Sequence, residues 1–355
     1  MRHIVVLGSL VLLSIAACGD TASVVEPDPN ATVDGGGTTR PDGSTLPGPD
    51  GSSPGDGSTT GDSGTALDPN LPGPYTTASS DATITPGTGD RLPMHVVYPN
   101  GLPGPLPVVI IAHGFQLSID LYYGYAERLA THGFLAVVPD YPTGFGANNV
   151  KDAQNLIAAL DWSLTSAPVK GDATKAGVMG HSRGGKAAIL AAARDPRFKA
   201  LMGLDPVDSK PGGFINCDTT TECPPATGEL AKVNAPVLFL GETLDATAGA
   251  FGQACAPADL NFAILYGAAK APAISVDVAG AGHMSFLDNP NCAIFCGQCK
   301  TPTAKSADVL ALARAYAAAF FVRHLQGNAA MDAYITGAQA QARYVTPKVA
   351  TIQSK

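Results

Sequence analysis

Short runs of apolar residues alternate with longer amphipathic segments along the chain from residue 94 onward. The apolar runs predict strands at 94–98, 107–112, 134–138, 176–179, 199–204, 236–240 and, as the last strand, 274–278. The segments between them predict helices at 119–131, 150–164, 186–193, 258–268 and 307–325. Continuous apolar runs are typical of parallel strands that are buried on both faces. The repeated strand–helix units therefore predict an α/β fold with a mostly parallel, doubly wound sheet and helices on both faces.

The first 17 residues depart from this pattern and are typical of a signal peptide. Arg2 and His3 precede an apolar stretch at 4–15, which is shorter than the roughly 20 residues that a membrane-spanning helix needs. The stretch ends in Ile-Ala-Ala-Cys at 15–18, which resembles a bacterial lipobox and implies that Cys18 becomes a lipid-modified N-terminus. An ordinary secretory signal with an incidental cysteine is the alternative. Because Gly19 stands where an aspartate would retain a lipoprotein at the inner membrane, we expect a lipid-anchored export product at the outer membrane, cell surface or periplasm.

Residues 18–73 are rich in Gly, Ser, Thr, Pro and Asp and contain almost no large apolar side chain. Such a segment buries too little surface to offset its ordering entropy, so the composition predicts a disordered tether. This segment also accounts for the negative charge of the chain. It contains nine acidic residues between 19 and 70 and a single basic residue, Arg40, and the whole chain has a net charge of −8. The remaining residues, 74–355, are near neutral and have the length of one catalytic domain. No basic stripe indicates nucleic acid as a partner, and the lipid is the only expected link to a membrane.

The chain has seven cysteines, of which six remain if Cys18 carries lipid. An even number of cysteines in an exported protein predicts disulfide bonds, and the candidates are Cys217, Cys223, Cys255, Cys292, Cys296 and Cys299. The first two are close enough to close a short loop, whereas spacing does not determine how the other four pair. A zinc site formed by Cys292, Cys296 and Cys299 is the alternative.

A nucleophile motif follows the predicted strand at 176–179. Residues 180–184 read Gly-His-Ser-Arg-Gly, which is G-x-S-x-G between a strand and a helix. The sharp turn forces the serine into a strained conformation, and glycines on both sides let the strand and the helix approach each other. Ser182 is therefore the candidate nucleophile, exposed at the N-terminus of a helix that can receive an anion. A small-residue turn in another kind of α/β protein is the alternative.

A serine nucleophile needs a base and an acid, which follow it in the order Ser, acid, His in this fold. Of seven histidines, only His283 is both late in the chain and in a glycine-flanked loop after a strand. Asp205 and Asp245 both follow predicted strands, and position alone slightly favours Asp245. All four side chains follow strand ends, which converge on one edge of a parallel sheet.

A family resemblance changes that preference. Residues 180–186, which read Gly-His-Ser-Arg-Gly-Gly-Lys and form the turn around the nucleophile (the elbow), resemble the elbow of chlorophyllases. Further matches to that family lie at 113–115, 132–134, 203–207, 255–261 and 282–284. The resemblance implies an α/β-hydrolase fold and places the triad acid in the Asp-Pro-Val segment, which makes Asp205 the candidate and Asp245 the alternative. In platelet-activating-factor acetylhydrolases, the number of residues between the nucleophile and the acid is similar to that between Ser182 and Asp205. The chain also resembles dienelactone hydrolases and, more distantly, cutinase-type polyester hydrolases.

Two backbone N–H groups are expected to bind the oxyanion, those of Arg183 and of Phe115 in the loop after the strand at 107–112. Gln116, Met284 and Phe286, with Phe115, are candidates for an acyl pocket, although core packing explains them equally well. We therefore expect a serine carboxylic-ester hydrolase that needs no metal or organic cofactor and acts on a small or polymeric ester. The alternatives are the same machinery on an amide, a polyester or a phospholipid acetyl ester, and an inactive hydrolase fold that serves as a surface binding module.

Overall fold

The computed structural model describes residues 67–355 except 145, 147, 209–215, 250–251 and 292–296. All the described residues belong to one compact unit that spans Ser63–Lys355. The predicted signal peptide, the lipobox with Cys18 and residues 18–66 of the predicted tether lie outside the described residues. None of the helices that can be described is both long enough and apolar enough to cross a membrane.

A nine-stranded sheet forms the centre of the unit, in the spatial order β1-β2-β4-β3-β5-β6-β7-β8-β9. The six strands from β4 to β8 in this order pair in parallel, whereas β1, β2 and β9 pair antiparallel at the two sides. The strands are β1 Thr77–Ile84, β2 Leu92–Pro99, β3 Leu106–Ala112, β4 Leu135–Pro139, β5 Gly171–His181, β6 Phe198–Leu204, β7 Val237–Gly241, β8 Ala273–Val278 and β9 Ala350–Ser354. The mostly parallel sheet that the apolar runs predict is confirmed.

Helices cover both faces of this sheet because side chains of each central strand alternate between two apolar cores. The helices are α1 Tyr123–Thr131, α2 Asn149–Thr165, α3 Arg183–Arg194, α4 Ala226–Leu230, α5 Phe262–Ala268, α6 Ser306–Leu325, α7 Asp332–Ile335 and α8 Ala338–Ala340. In β3, Val109 and Ile111 face one core, which helices α1 and α6 complete. Val108 and Ile110 face the other core, which α2, α3, α4 and α5 complete. This arrangement confirms the doubly wound α/β fold.

Several predicted elements differ from the structure, and the strand predicted at 176–179 already begins at Gly171 as β5. The predicted strand 274–278 is not the last one, because β9 follows it, and the other outermost strand, β1, was not predicted. The predicted helix 119–131 begins as a 3₁₀ turn, Ile119–Tyr122, before α1. The predicted helix 258–268 starts only at Phe262, since the N–H of Ala258 bonds the carbonyl of Ala246 and Asn261 caps the helix.

Residues at the end of the predicted tether contact the rest of the folded unit. Asp68 forms a two-bond ion pair with Arg343, at 3.0 and 2.8 Å, and Arg128 donates to the carbonyl of Pro69. The N–H of Gly73 donates to the hydroxyl of Thr131. These contacts extend the folded unit several residues before the start at residue 74 that composition suggests.

Candidate active site

Ser182 lies at the turn between β5 and α3 in a backbone conformation that residues other than glycine rarely adopt. Its φ of 56° and ψ of −124° fall outside the regions that L-residues prefer, and strain of this kind persists only where the surroundings enforce it. A Cβ atom added to Gly180 would lie 2.2 Å from the carbonyl oxygen of Gly184, and one added to Gly184 would lie 2.4 Å from that of His113. The close approach therefore requires glycine at both positions, as the motif predicts.

The structure brings Ser182, His283 and Asp205 into one hydrogen-bonded chain. Oγ of Ser182 lies 2.9 Å from Nε2 of His283, and Nδ1 of the same ring lies 2.6 Å from Oδ2 of Asp205. Asp205 directly follows β6 and is fully buried, whereas Ser182 is only half-buried. The arrangement allows the ring to take a proton from the serine while the carboxylate orients it.

Asp245 contacts the backbone of His283 and not its ring. Its Oδ2 accepts a hydrogen bond from the N–H of His283 at 2.8 Å, and its Oδ1 accepts one from the N–H of Lys300 at 2.7 Å. Asp245 is fully buried in a 3₁₀ turn, Leu244–Ala246, after β7. Of the two acids that the sequence proposes, it is therefore Asp205 that faces the imidazole, and Asp245 that holds the loop carrying it.

Sequence reasoning missed Glu242, a fully buried carboxyl group beside this chain. Its Oε2 accepts a hydrogen bond from the N–H of Asp245 at 2.8 Å, and its own N–H donates to Oδ1 of Asp205 at 3.3 Å. Burial and, next, the charge of Asp205 raise the pKa of Glu242 to about 9. Its position directly after β7, at the edge where the other site residues meet, was the only signal in the sequence.

A second missed group links the two sides of the site. Nε2 of His181 lies 2.9 Å from the carbonyl oxygen of His283, and Nδ1 lies 3.0 Å from the hydroxyl of Tyr122, which accepts a hydrogen bond from the N–H of Gly114 at 2.9 Å. Burial, followed by the charge of His283, lowers the pKa of His181 well below its usual range, so the ring is neutral. Because the carbonyl only accepts, Nε2 carries the proton and the hydroxyl of Tyr122 donates to Nδ1. This chain ties the loop of His283 to the loop before Phe115.

The two predicted oxyanion donors lie beside the elbow. Arg183 is the first residue of α3, and its guanidinium makes two hydrogen bonds, 3.1 and 2.8 Å long, to the buried carboxyl of Asp152. The same group donates to the carbonyl of Gly144 and lies 6.0 Å from the ring centre of Phe115. Burial raises the pKa of Asp152 to about 6, and Arg183 opposes that rise. The Arg183 side chain thus bonds α2 and lies near the ring of Phe115, while its backbone N–H lies in the first turn of α3.

The four pocket candidates do not share one environment. Phe286 is fully buried in the core, where the hydroxyl of Tyr125 donates to its carbonyl, so packing accounts for this side chain. Met284 is half-buried and lines a cavity of about 500 Å³ next to His283. Gln116 is exposed, and its amide donates to the carbonyl of Thr143. Phe115 is half-buried beside the elbow.

Four of the six predicted disulfide partners are paired in the structure. Cys217 bonds Cys223, as their spacing suggests, and Cys255 bonds Cys299 across a separation of 44 residues. Cys292 and Cys296 lie outside the described residues, so the structure describes only one of the three cysteines of the alternative zinc site. Since Cys299 is oxidised, it is not available to that site as a thiolate.

Among the described residues, two groups of side chains are compact enough to surround an ion. In the first, Asp245 lies within 4.8 Å of Cys255 and Cys299, whose sulfur atoms are joined to each other. The second consists of Asp205, Glu242 and His283. Both ring nitrogens of His283 already face hydrogen-bond partners, so we interpret the second group as a hydrogen-bonded cluster.

A half-buried elbow serine at the carboxyl edge of a doubly wound sheet, facing a late histidine, defines the α/β-hydrolase class. A family model described as chlorophyllase matches residues 73–347. The chain is 32% identical to chlorophyllase-1 of Arabidopsis thaliana over 61% of its own length and 69% of that protein. It is also 32% identical to a bis(hydroxyethyl) terephthalate hydrolase of Streptomyces coelicolor, over 38% of this chain and 44% of the relative.

A third relative is a putative carboxymethylenebutenolidase of Yersinia pestis, 28% identical over 34% of this chain and 51% of that protein. The chain thus spans about two thirds of the plant relative and about half of the two bacterial ones. It belongs to the chlorophyllase family, and its relatives identify it as an ester hydrolase with the α/β-hydrolase fold.

Proposed function

We propose that the protein hydrolyses carboxylic esters through an acyl-enzyme formed on Ser182. The observation that supports this most is the continuous chain from Oγ of Ser182 through the ring of His283 to Asp205, with separations of 2.9 and 2.6 Å. A serine hydroxyl is a weak nucleophile until a base removes its proton, and the histidine ring is within reach to do so.

In the first half of the reaction, Oγ of Ser182 attacks the ester carbonyl carbon while Nε2 of His283 takes its proton. Asp205 accepts a hydrogen bond from Nδ1 and stabilises the imidazolium that forms. The oxyanion accepts hydrogen bonds from the N–H groups of Arg183 and Phe115, each worth about 3 to 4 kcal/mol by analogy with other hydrolases. His283 then returns the proton to the leaving alcohol, and the acyl group stays on Ser182.

In the second half, His283 takes a proton from water, which attacks the acyl carbonyl carbon. As the new carbon–oxygen bond forms, the bond between the acyl carbon and Oγ of Ser182 breaks, which releases the carboxylic acid, and His283 returns the proton to Oγ. The mechanism uses no metal or organic cofactor. The neutral side chain of His181, which bonds the carbonyl of His283, keeps that loop in place without adding charge beside the base.

Two ester classes are the substrates that the family relations favour. Chlorophyll is suggested by the plant relatives, and an aromatic ester of the bis(hydroxyethyl) terephthalate type by the Streptomyces relative. Phospholipid acetyl esters and an inactive role as a surface binding module remain the competing hypotheses. The apposed Ser182, His283 and Asp205 argue against an inactive role.

A substrate panel tests the proposal and separates these classes. The panel contains p-nitrophenyl esters of rising acyl length, chlorophyll, bis(hydroxyethyl) terephthalate and a platelet-activating-factor-type acetyl ester, with Ser182→Ala as the control. We expect turnover of at least one ester by the wild type and none above background by the variant. A wild-type protein that is folded and inactive on every ester would favour the binding module.

We also propose that the protein is exported and anchored by lipid on Cys18, with residues 18–66 connecting the anchor to the domain. The support is the sequence at 4–18 and the composition that follows it.

A further inference from the structure

Glu242 is a buried acid for which the proposed reaction has no use. The residue directly follows β7 and its side chain is fully buried. Its Oε1 accepts no hydrogen bond from any donor among the residues that the structure describes. A buried carboxylate without a positive partner is expensive, so a group in this position is expected to hold a proton or to serve a role that repays the cost.

Acidic residues lie on the elements that neighbour Glu242. Asp205 follows β6, Asp245 lies in the turn after β7, and Asp277 lies on β8 opposite Gly241. A carboxylate oxygen of Asp205, one of Glu242 and a ring nitrogen of His283 lie within 4.8 Å of one another. Carboxylates this close cannot all ionise, because each negative charge disfavours the next.

The backbone hydrogen bonds indicate which of the two closest acids keeps the charge. Asp205 receives the N–H of Glu242 at one oxygen and faces Nδ1 of His283 with the other, so both its oxygens accept. Glu242 receives a single backbone hydrogen bond, from Asp245 to Oε2, which leaves Oε1 as the oxygen that can carry a proton. Burial and the Asp205 charge raise the pKa of Glu242 to about 9, and the hydrogen bond to Asp205 acts in the same direction.

We propose that Glu242 is a positioning residue whose neutral carboxylic acid donates a hydrogen bond to the Asp205 carboxylate and thereby holds that carboxylate against His283. The role rests on the proposed function, in which Asp205 orients the catalytic imidazole. Glu242 itself touches neither the substrate nor the reacting atoms.

Loss of the proton has a defined consequence. Above about pH 9, Glu242 ionises and sets a second buried negative charge against Asp205. The two carboxylates then repel each other, and Asp205 loses both a donor and its fixed position. We therefore expect kcat to fall on the alkaline side through this titration, with KM nearly constant.

Glutamine supplies permanently what the protonated acid supplies only below its pKa. In Glu242→Gln, the amide oxygen accepts from the N–H of Asp245 while the amide nitrogen donates to Asp205. We expect kcat at about pH 7 to stay within roughly threefold of wild type and the alkaline fall to disappear. Asp277→Asn is the matched control, since Asp277 is a half-buried acid on the adjacent strand, and its removal should leave the alkaline fall in place.

Infrared difference spectroscopy gives a readout that does not depend on activity. The wild type should show the carbonyl stretch of a protonated carboxylic acid at about pH 7, lost by about pH 10.5 and absent from Glu242→Gln at both values. Absence of that band in the wild type, or an unchanged alkaline fall in Glu242→Gln, would overturn the proposal.

Ser182→Ala and the infrared band together separate the serine mechanism from the role of Glu242. If Ser182→Ala kept wild-type ester hydrolysis, the serine mechanism and the positioning role would both fall, whereas the infrared band would still report the protonation of Glu242. If Ser182→Ala is inactive and the band is missing, only the role of Glu242 is overturned.

Discussion

Nδ1 of His283 lies 2.6 Å from Oδ2 of Asp205, which is fully buried at the end of β6. Most of the candidate site depends on this contact, because an imidazole that takes a proton at Nε2 must be held in the right tautomer at Nδ1. The competing acid, Asp245, binds backbone N–H groups on both of its oxygens instead.

The two aspartates should therefore respond differently to replacement by asparagine. We expect Asp205→Asn to reduce kcat by about 10⁴, as the wrong tautomer does in a well-studied triad, with little change in melting temperature. In Asp245→Asn, the amide NH₂ faces a backbone N–H, and we expect a stability loss of about 1–3 kcal/mol but at least roughly a tenth of wild-type kcat. Steady-state kinetics and thermal melts of both variants check this, and a more severe loss of kcat in folded Asp245→Asn would make Asp245 the acid.

The chain from His181 to Tyr122 predicts an effect on catalysis from a residue that touches no substrate. Tyr122→Phe leaves the N–H of Gly114 buried without its acceptor, a cost of about 1–3 kcal/mol, and frees the loop before Phe115. We expect kcat to fall about tenfold, a loss of about 1.4 kcal/mol in transition-state stabilisation, with KM nearly unchanged.

Tyr344→Phe is the matched control for this variant. Tyr344 is also buried, but its hydroxyl donates to Oδ1 of Asn70, outside the candidate site. Kinetics on one p-nitrophenyl ester compare the two. Equal losses of kcat in both variants would mean that the Tyr122 effect is only a loss of stability.

Much of the fold follows from the sequence because most central strands contain a continuous apolar run, and the G-x-S-x-G turn and the glycine-flanked His283 carry local signals. The edge strands β1 and β9 were missed because their small, half-exposed side chains give no apolar run. Glu242 and Tyr122 were missed for another reason. Their significance depends on burial and on partners distant in the chain, which no local pattern records.

The two disulfides should differ in their effect on the site. Cys255 and Cys299 lie within 4.8 Å of Asp245, which holds the backbone of His283, whereas Cys217–Cys223 closes a loop across only 6 residues. Chain entropy gives about 4 kcal/mol for the longer loop and about 2 kcal/mol for the shorter one. We expect Cys255→Ser with Cys299→Ser to lower both the melting temperature and kcat.

The matched pair Cys217→Ser with Cys223→Ser should lower the melting temperature less and leave kcat within roughly threefold of wild type. Melts and kinetics under oxidising conditions measure both quantities. If the two double variants lost kcat equally, the longer disulfide would have no special relation to the His283 loop.

Anchoring is tested by the fate of the protein in cells. Cys18→Ser should block lipid attachment, so the protein should leave the membrane fraction and lose a metabolically incorporated fatty-acid label. Activity on soluble esters should not change, because Cys18 belongs to no part of the proposed catalytic site. Persistence of the variant in the membrane fraction, equal to wild type, would refute the lipobox interpretation.

The most direct test of the proposed mechanism is the identity of the residue that acts as the nucleophile. The protein is reacted with a fluorophosphonate, digested, and mapped by mass spectrometry, with Ser182→Ala treated in parallel. The account predicts one equivalent of label on the peptide that contains Ser182, loss of ester hydrolysis in proportion to labelling, and no label on the folded variant. Label on a different residue, or full ester hydrolysis by Ser182→Ala, would contradict it.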